Sequence, residues 1–242
     1  MAYNFLLIHG SWHDGGAWAP VVRRLESKGH QAFAPTLAGH GKGVAKNVSH
    51  ADCVQSVVDY VTRRQLSDLV VVGHSFGGTI IAKLAEAIPD RVRRLVFWNA
   101  FVPRDGNSLL DETPPQYHEM FAKLAAASGD DTMMLPYEIW REAFINDADA
   151  ELARAAYATL STEPYRGFSD KLDLKKFYTL SVPRSYLNCT EDTALPPGEW
   201  GWHPRMSSRL GLYRLVQMPG SHESIFTRPI ELADKIIEAG RD

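Results

Sequence analysis

Cysteine is scarce: two of the 242 residues, Cys53 and Cys189. They form neither a C-x-x-C pair nor a metal-ligand spacing, and two are too few for a disulfide framework. A reducing cytoplasm is therefore the expected compartment. Long apolar runs are also missing. None approaches the roughly 20 residues that cross a bilayer, so no membrane insertion is expected. The N-terminus shows no basic n-region or apolar h-region, and a secretory signal is not expected. Neither sign of charge is in excess. With 26 Lys and Arg against 29 Asp and Glu the net charge is −3, which provides no basic field for nucleic acid or an anionic membrane. Glycine, proline and aromatic residues are scattered, and no internal repeat is found.

The remainder is an ordinary globular balance, 45% hydrophobic and 23% charged. Its length suits one α/β core with an inserted lid. Residues 3–9 read as a buried strand, continuous in hydrophobicity as parallel strands are, and run into the glycine-rich loop 9–16. A helix follows through Trp18, Val21, Val22 and Leu25, with Pro20 in its first turn and Gly29 past its end. A second strand is expected over 30–36. Ser49 or Asp52 caps a helix carrying Val54, Val57, Val58 and Val61. A strand starting at Leu69 leads to a helix with Ile80, Ile81, Leu84, Ala85 and Ile88 on one face, and a fourth strand spans 94–100.

From 103 to 178 the pattern is helical with no convincing strand; helices are expected around 116–127, 137–146 and 148–160. Strands resume at 184–190 and 212–218, separated by a loop-plus-helix region to about 210, and Pro229 opens the last helix. These elements describe an α/β fold with a six-stranded, mostly parallel, doubly wound sheet. Residues 1–102 and 179–242 form the core, and 103–178 a helical lid over the carboxyl ends of the strands.

The stretch Leu69-Val70-Val71-Val72-Gly73-His74-Ser75-Phe76-Gly77-Gly78 carries the chemistry. A strand stops and a helix starts around Gly73-x-Ser75-x-Gly77, the pattern of a nucleophile elbow. Cβ atoms flanking such a turn would collide with strand and helix, which explains the glycines; Gly78 allows closer packing. The turn lifts the Ser75 hydroxyl above the sheet and aims a helix N-terminus at it. The plainer alternative is a tight turn with a buried serine.

A serine hydroxyl needs a base, and the base an orienting acid. His222 lies just past the last strand. Asp192 lies just past the fifth, ranked ahead of the adjacent Glu191 and of Asp105 after the fourth strand. His74 is expected to pack beneath the elbow and His9 to bond loop backbone. His13 could line the pocket mouth. His30, His40, His50, His118 and His203 are expected on the surface or lid. An oxyanion hole needs two converging backbone N–H groups. Phe76 supplies one and Ser11 the other, with Gly10 letting the backbone pass close to the substrate.

Leu7-Ile8-His9-Gly10-Ser11-Trp12-His13, the elbow, Glu191-Asp192-Thr193-Ala194-Leu195-Pro196 and Gly220-Ser221-His222 together resemble the α/β-hydrolase superfamily. More narrowly they resemble small esterases related to plant methylesterases and hydroxynitrile lyases, including bacterial pyrethroid and salicylate ester hydrolases. In that group the acid is the aspartate two residues before a small or apolar residue and four before proline, which the resemblance places at Asp192. The lyases of the group carry lysine after the catalytic histidine and threonine in the first loop. Here Glu223 and Gly10-Ser11 stand there, so the resemblance favours ester over C–CN cleavage. Epoxide hydrolase and dehalogenase relatives need an aspartate where Ser75 stands.

The expected activity is hydrolysis of a hydrophobic carboxylic ester or lactone through Ser75, His222 and Asp192, with no cofactor and no metal. A homodimer is compatible with the sequence. Trp12, Trp98, Phe101 and Trp140, with Gly10, are expected at the substrate. Met120, Phe121, Met133, Met134, Leu135, Trp200 and Trp202 are further candidates, although each could simply pack the lid onto the core. The alternatives are C–C hydrolysis, lyase chemistry, cofactor-free dioxygenation, a thioesterase or cyclase, and a non-turnover ligand receptor.

Overall fold

β-Branched and apolar runs become the strands β1 (Asn4–Ile8), β2 (Gln31–Phe33), β3 (Leu69–His74), β4 (Val92–Trp98), β5 (Arg184–Cys189) and β6 (Arg214–Met218). The computed structural model describes residues 2–242. The strands form one sheet in the order β2-β1-β3-β4-β5-β6, with every pairing parallel. β3 and β5 are buried at all six positions, because a parallel sheet is covered on both faces. β2 is shorter than expected. It lies at the sheet edge, and Pro35 just beyond it has no N–H to extend the ladder.

The main helices are α1 (Ala19–Ser27), α2 (His50–Arg63), α3 (Gly77–Ala87), α4 (Pro115–Ser128), α5 (Ala150–Tyr157) and α6 (Pro229–Gly240). Both candidate caps of α2 act together. The Ser49 side chain accepts from Asp52 N–H and the Asp52 side chain from Ser49 N–H, a capping box.

Successive residues of a strand point to opposite faces, and two apolar cores result. Leu6, Ile8, Val71, Leu95 and Phe97 pack with α2, α3 and the inserted segment. Phe5, Leu7, Val70, Val96 and Trp98 pack with Trp18, Leu232 and Ile236 of α1's approach and α6. The inserted segment thus shares a core with one sheet face and builds none of its own.

Three expectations are corrected here. The insertion does contain strands, the two-residue pair Thr132–Met133 and Glu163–Pro164, which pair antiparallel; strands that short leave no periodicity to read. The helix expected around 137–146 is a short α-turn, Tyr137–Ile139, running into a π-helical turn, Trp140–Phe144. Before β6 the only regular turn is 3-10, Ser207–Leu210, rather than an α-helix.

Candidate active site

Ser75 sits between β3 and α3 with φ of 52°, a left-handed conformation that costs a non-glycine residue about 1–3 kcal/mol. The surroundings hold it there. Ser75 N–H donates to Trp98 O at 3.3 Å, and its carbonyl accepts from Gly78 and Phe101 N–H at 3.0 and 3.1 Å. A Cβ on Gly73 would lie 2.6 Å from Gly77 O, so the crossing of strand and helix admits only glycine. Phe76 is the N-cap of α3, which has no side-chain cap, so the positive end of the helix dipole faces this turn.

The loop after β1 runs against this turn. A Cβ on Gly10 would stand 3.1 Å from Ser75 Cβ and 2.9 Å from His74 Nδ1, so Gly10 is the point of closest approach. It backs the elbow and does not line the cavity, contrary to expectation. Ser11 and Trp12 follow, both buried. The Trp12 indole N–H donates to Met133 O at 3.1 Å, tying the loop to the inserted segment.

His222 follows β6, and its Nδ1 lies 2.6 Å from Asp192 Oδ2. Oδ1 of Asp192 accepts Ala194 N–H at 2.8 Å. Asn99, which sequence reasoning missed, donates from Nδ2 to Asp192 Oδ2 and accepts Cys189 N–H at 2.6 Å. Its place just past β4 is the one signal that marks it. Burial opposes the charged form of His222, but the Asp192 charge and hydrogen bond, with the charge of Glu223, leave its pKa raised. The other acids are engaged elsewhere. Glu191 Oε2 accepts Gly220 N–H and Asp105 Oδ1 accepts Leu174 N–H.

Ser75 and His222 share the wall of one cavity, whose other sides are largely aromatic: Trp12, Phe101, Phe121, Phe144, Phe168 and Trp202. No hydrogen bond joins the Ser75 and His222 side chains. The Trp202 ring stacks on His222 at 5.1 Å and 15°, and Phe144 meets the same imidazole edge-on at 5.3 Å. Polar contributions come from Ser11, Thr113 and Tyr117. The space is tight, with about 20 Å³ open to water centres, enough for one or two waters. The wider groove between α2 and residues 170–176 holds neither Ser75 nor His222.

Trp98 and Trp140 lie outside the cavity, which corrects two expected contacts. Trp98 points to the opposite sheet face, stacked on His74 at 3.9 Å and edge-on to Trp18. Trp140 is fully buried against Tyr157. Met120, Met133, Met134, Leu135 and Trp200 are also absent from the lining, whereas Leu109, Thr113, Tyr117, Phe144, Phe168, Ala194 and Leu195 were unforeseen.

The histidines divide by partner. His74 Nε2 donates to His222 O at 3.0 Å, and burial together with neighbouring histidine charges holds it neutral, its pKa well below the usual value. His9 takes Leu37 N–H on Nε2 and donates from Nδ1 to Gly10 O. His13 is buried outside the cavity, its Nε2 3.0 and 3.1 Å from the two Glu223 oxygens. His40 and His50 are interior rather than surface residues, bonded to Glu163 and to Thr79 Oγ1. Burial lowers the His50 pKa to about 3. Among the described residues no group of three or more His, Cys, Asp or Glu is placed to hold a metal ion.

Comparison with known proteins adds relatives to this geometry. The profile described as "Alpha/beta hydrolase family" matches residues 5–235. A solved structure of an extracellular alpha/beta-hydrolase from a Paenibacillus species, described as sharing structural and functional homology with tobacco salicylic acid binding protein 2, is 42% identical. It has a TM-score of 0.97 and covers 99% of this chain and 100% of its own. The carbendazim hydrolyzing esterase of Nocardioides sp. strain SG-4G is 28% identical over 98% of this chain and 99% of its own length. The pyrethroid hydrolase of Sphingobium wenxiniae is 27% identical over 97% of this chain and 86% of its own.

Proposed function

The chain belongs to the alpha/beta hydrolase family, and from that premise we propose that it hydrolyses carboxylic esters or lactones of apolar small molecules through Ser75, His222 and Asp192. The observation that carries the reading is the 2.6 Å contact of His222 Nδ1 with Asp192 Oδ2, on an imidazole that shares a largely aromatic cavity with Ser75. Relatives named as esterases support the bond type. The lining supports an apolar, ring-bearing substrate.

Asp192 fixes the proton of His222 on Nδ1 and leaves Nε2 as the base. As substrate enters, Ser75 Oγ comes within about 3 Å of Nε2, a contact that tightens in the reacting complex. Oγ attacks the carbonyl carbon while Nε2 takes its proton. The Ser11 and Phe76 N–H groups hold the oxyanion. Collapse breaks the C–O bond, and His222 returns the proton to the leaving alcohol. Water, deprotonated by the same nitrogen, then releases the acid and restores Ser75. Glu223 favours this route over one that expels an anion beside the base. The residue after His222 is a carboxylate, turned toward His13, and offers no ammonium to a departing anion.

No helix among the described residues is long and apolar enough to cross a membrane. Both cysteines are free and buried, which fits the cytoplasmic expectation. Yet the Paenibacillus relative is described as extracellular, and a buried thiol with no disulfide partner serves in either compartment.

The test is a panel of esters, lactones and thioesters assayed beside fluorophosphonate labelling read by peptide mass spectrometry. Turnover of apolar esters with the label on Ser75 is expected. A label elsewhere, or ester turnover that survives Ser75→Ala, overturns the covalent mechanism.

A further inference from the structure

One lid carboxylate reaches the proposed oxyanion loop. Glu163, in the strand Glu163–Pro164, is fully buried, and its oxygens divide between two donors. Oε2 accepts the backbone N–H of Trp12 at 2.8 Å. Oε1 lies 3.0 Å from His40 Nε2. His40 Nδ1 in turn lies 2.9 Å from Ala38 O, which can only accept. Both ring nitrogens face acceptors, so His40 carries two protons and a positive charge. Burial opposes that charge; Glu163 prevails, with a smaller contribution from Cys53, and the pKa rises to about 10.

The pair touches both halves of the oxyanion hole. Trp12 directly follows Ser11 and holds φ of 65°, which a tryptophan adopts only under restraint. Its N–H belongs to the rigid peptide plane that starts at Ser11 C. The Ser11 N–H lies in the preceding plane, joined to this one only through the φ and ψ of Ser11, so pinning Trp12 N–H restrains where the Ser11 N–H can aim. On the other side, the His40 ring stacks on Phe76 at 5.9 Å and 20°, and Phe76 supplies the second N–H. Gly167, also from the lid, packs closely beside that ring: a Cβ would stand 3.3 Å from Phe76 Cζ, close enough that the ring would have to shift by a few tenths of an ångström.

We infer that Glu163, with His40 as counter-ion, is a positioning residue: by holding Trp12 it aims the Ser11 N–H, so the oxyanion hole is complete only with the lid strand in place. This rests on the ester-hydrolase reading above. Reach, rather than charge, is what the role requires. Glutamine keeps the chain length and an acceptor for Trp12 N–H. Aspartate keeps the charge but is one methylene too short to serve both donors.

The test compares wild type, Glu163→Asp, Glu163→Gln and Ser75→Ala on one p-nitrophenyl ester, below the thermal transition of each. Binding of a trifluoromethyl ketone, which adds Ser75 and places an oxyanion in the hole, is measured beside binding of the alcohol product. Glu163→Asp should lose roughly tenfold or more in kcat with KM within about twofold. Its ketone affinity should fall with kcat/KM and its alcohol affinity should hold. Glu163→Gln should keep kcat within about threefold. If Glu163→Asp shows no cooperative thermal transition, Glu163→Ala takes its place. Wild-type kcat in the short variant, equal loss of kcat and alcohol affinity, or a glutamine variant as impaired as the aspartate one overturns the inference. An active Ser75→Ala enzyme overturns the ester reading and this inference with it. An inactive one beside an unimpaired Glu163→Asp overturns this inference alone.

Discussion

Asn99 donates to Asp192 Oδ2, the same oxygen that faces His222 Nδ1 at 2.6 Å. The amide also accepts Cys189 N–H on its other end. It therefore clamps the strand that carries the acid while steering the carboxylate toward the imidazole.

Removing that clamp should cost both stability and rate. In Asn99→Ala a buried N–H of Cys189 goes unpaired, a loss of about 1–3 kcal/mol, and a several-degree fall in the thermal midpoint is expected. Asp192 loses one of the donors that orient it, and kcat/KM should drop about tenfold, measured on an apolar ester. Unchanged kinetics in a destabilised variant would leave Asn99 a purely structural role.

The pH profile follows from the raised His222 pKa. In the proposed mechanism only the neutral imidazole acts as base, so kcat/KM should rise with pH, with its midpoint above the ordinary histidine value of about 6.5. Asp192→Asn removes the larger of the two charges that raise it and leaves burial opposed only by Glu223. The midpoint should then move to lower pH, and kcat should fall by about 10⁴. A midpoint that stays put in the variant would remove Asp192 from the triad.

Strain at the elbow is separable from chemistry. Ser75 holds φ of 52°, which glycine adopts at little steric cost. Ser75→Gly should abolish turnover yet gain about 1 kcal/mol, a rise of about 2–4 °C in thermal midpoint for a chain of this size. A lower midpoint would show that hydroxyl packing outweighs the backbone term.

The buried His40–Glu163 pair makes stability depend on alkaline pH. The folded pKa of His40 is raised to about 10, above its unfolded value of about 6.5. The folded state then binds more protons, so stability falls with pH across that window. The contribution is complete below about 6.5 and gone once pH passes about 10. Thermal midpoints recorded from pH 6 to 10 should fall more steeply for wild type than for His40→Gln. Parallel curves would mean that His40 carries no charge.

Local pattern made the core readable. Ser75 is marked by glycines at fixed offsets between an apolar strand and a helix, and His222 by its place after the last strand. Choosing among neighbours was harder. Glu191 and Asp192 are adjacent carboxylates past the same strand, and only the turn there sends one to Gly220 N–H and the other to His222. His40 and His50 have no partner at a strand end and so read as surface or lid residues; their actual partners, Glu163 and Thr79, lie 123 and 29 residues away. The two-residue strands of the inserted segment fall below any periodicity.

By itself the sequence determined the parallel sheet, the elbow and the order of the residues that follow it, because strand hydrophobicity and glycine spacing act over a few residues. Tertiary structure alone decided which aromatics line the cavity of Ser75 and His222. Trp98 and Trp202 are the same residue type, but the two-residue period of β4 turns Trp98 to the far face, while the loop before β6 folds Trp202 back over His222. Which surface a side chain faces depends on where distant segments pack, and no stretch of chain encodes that alone.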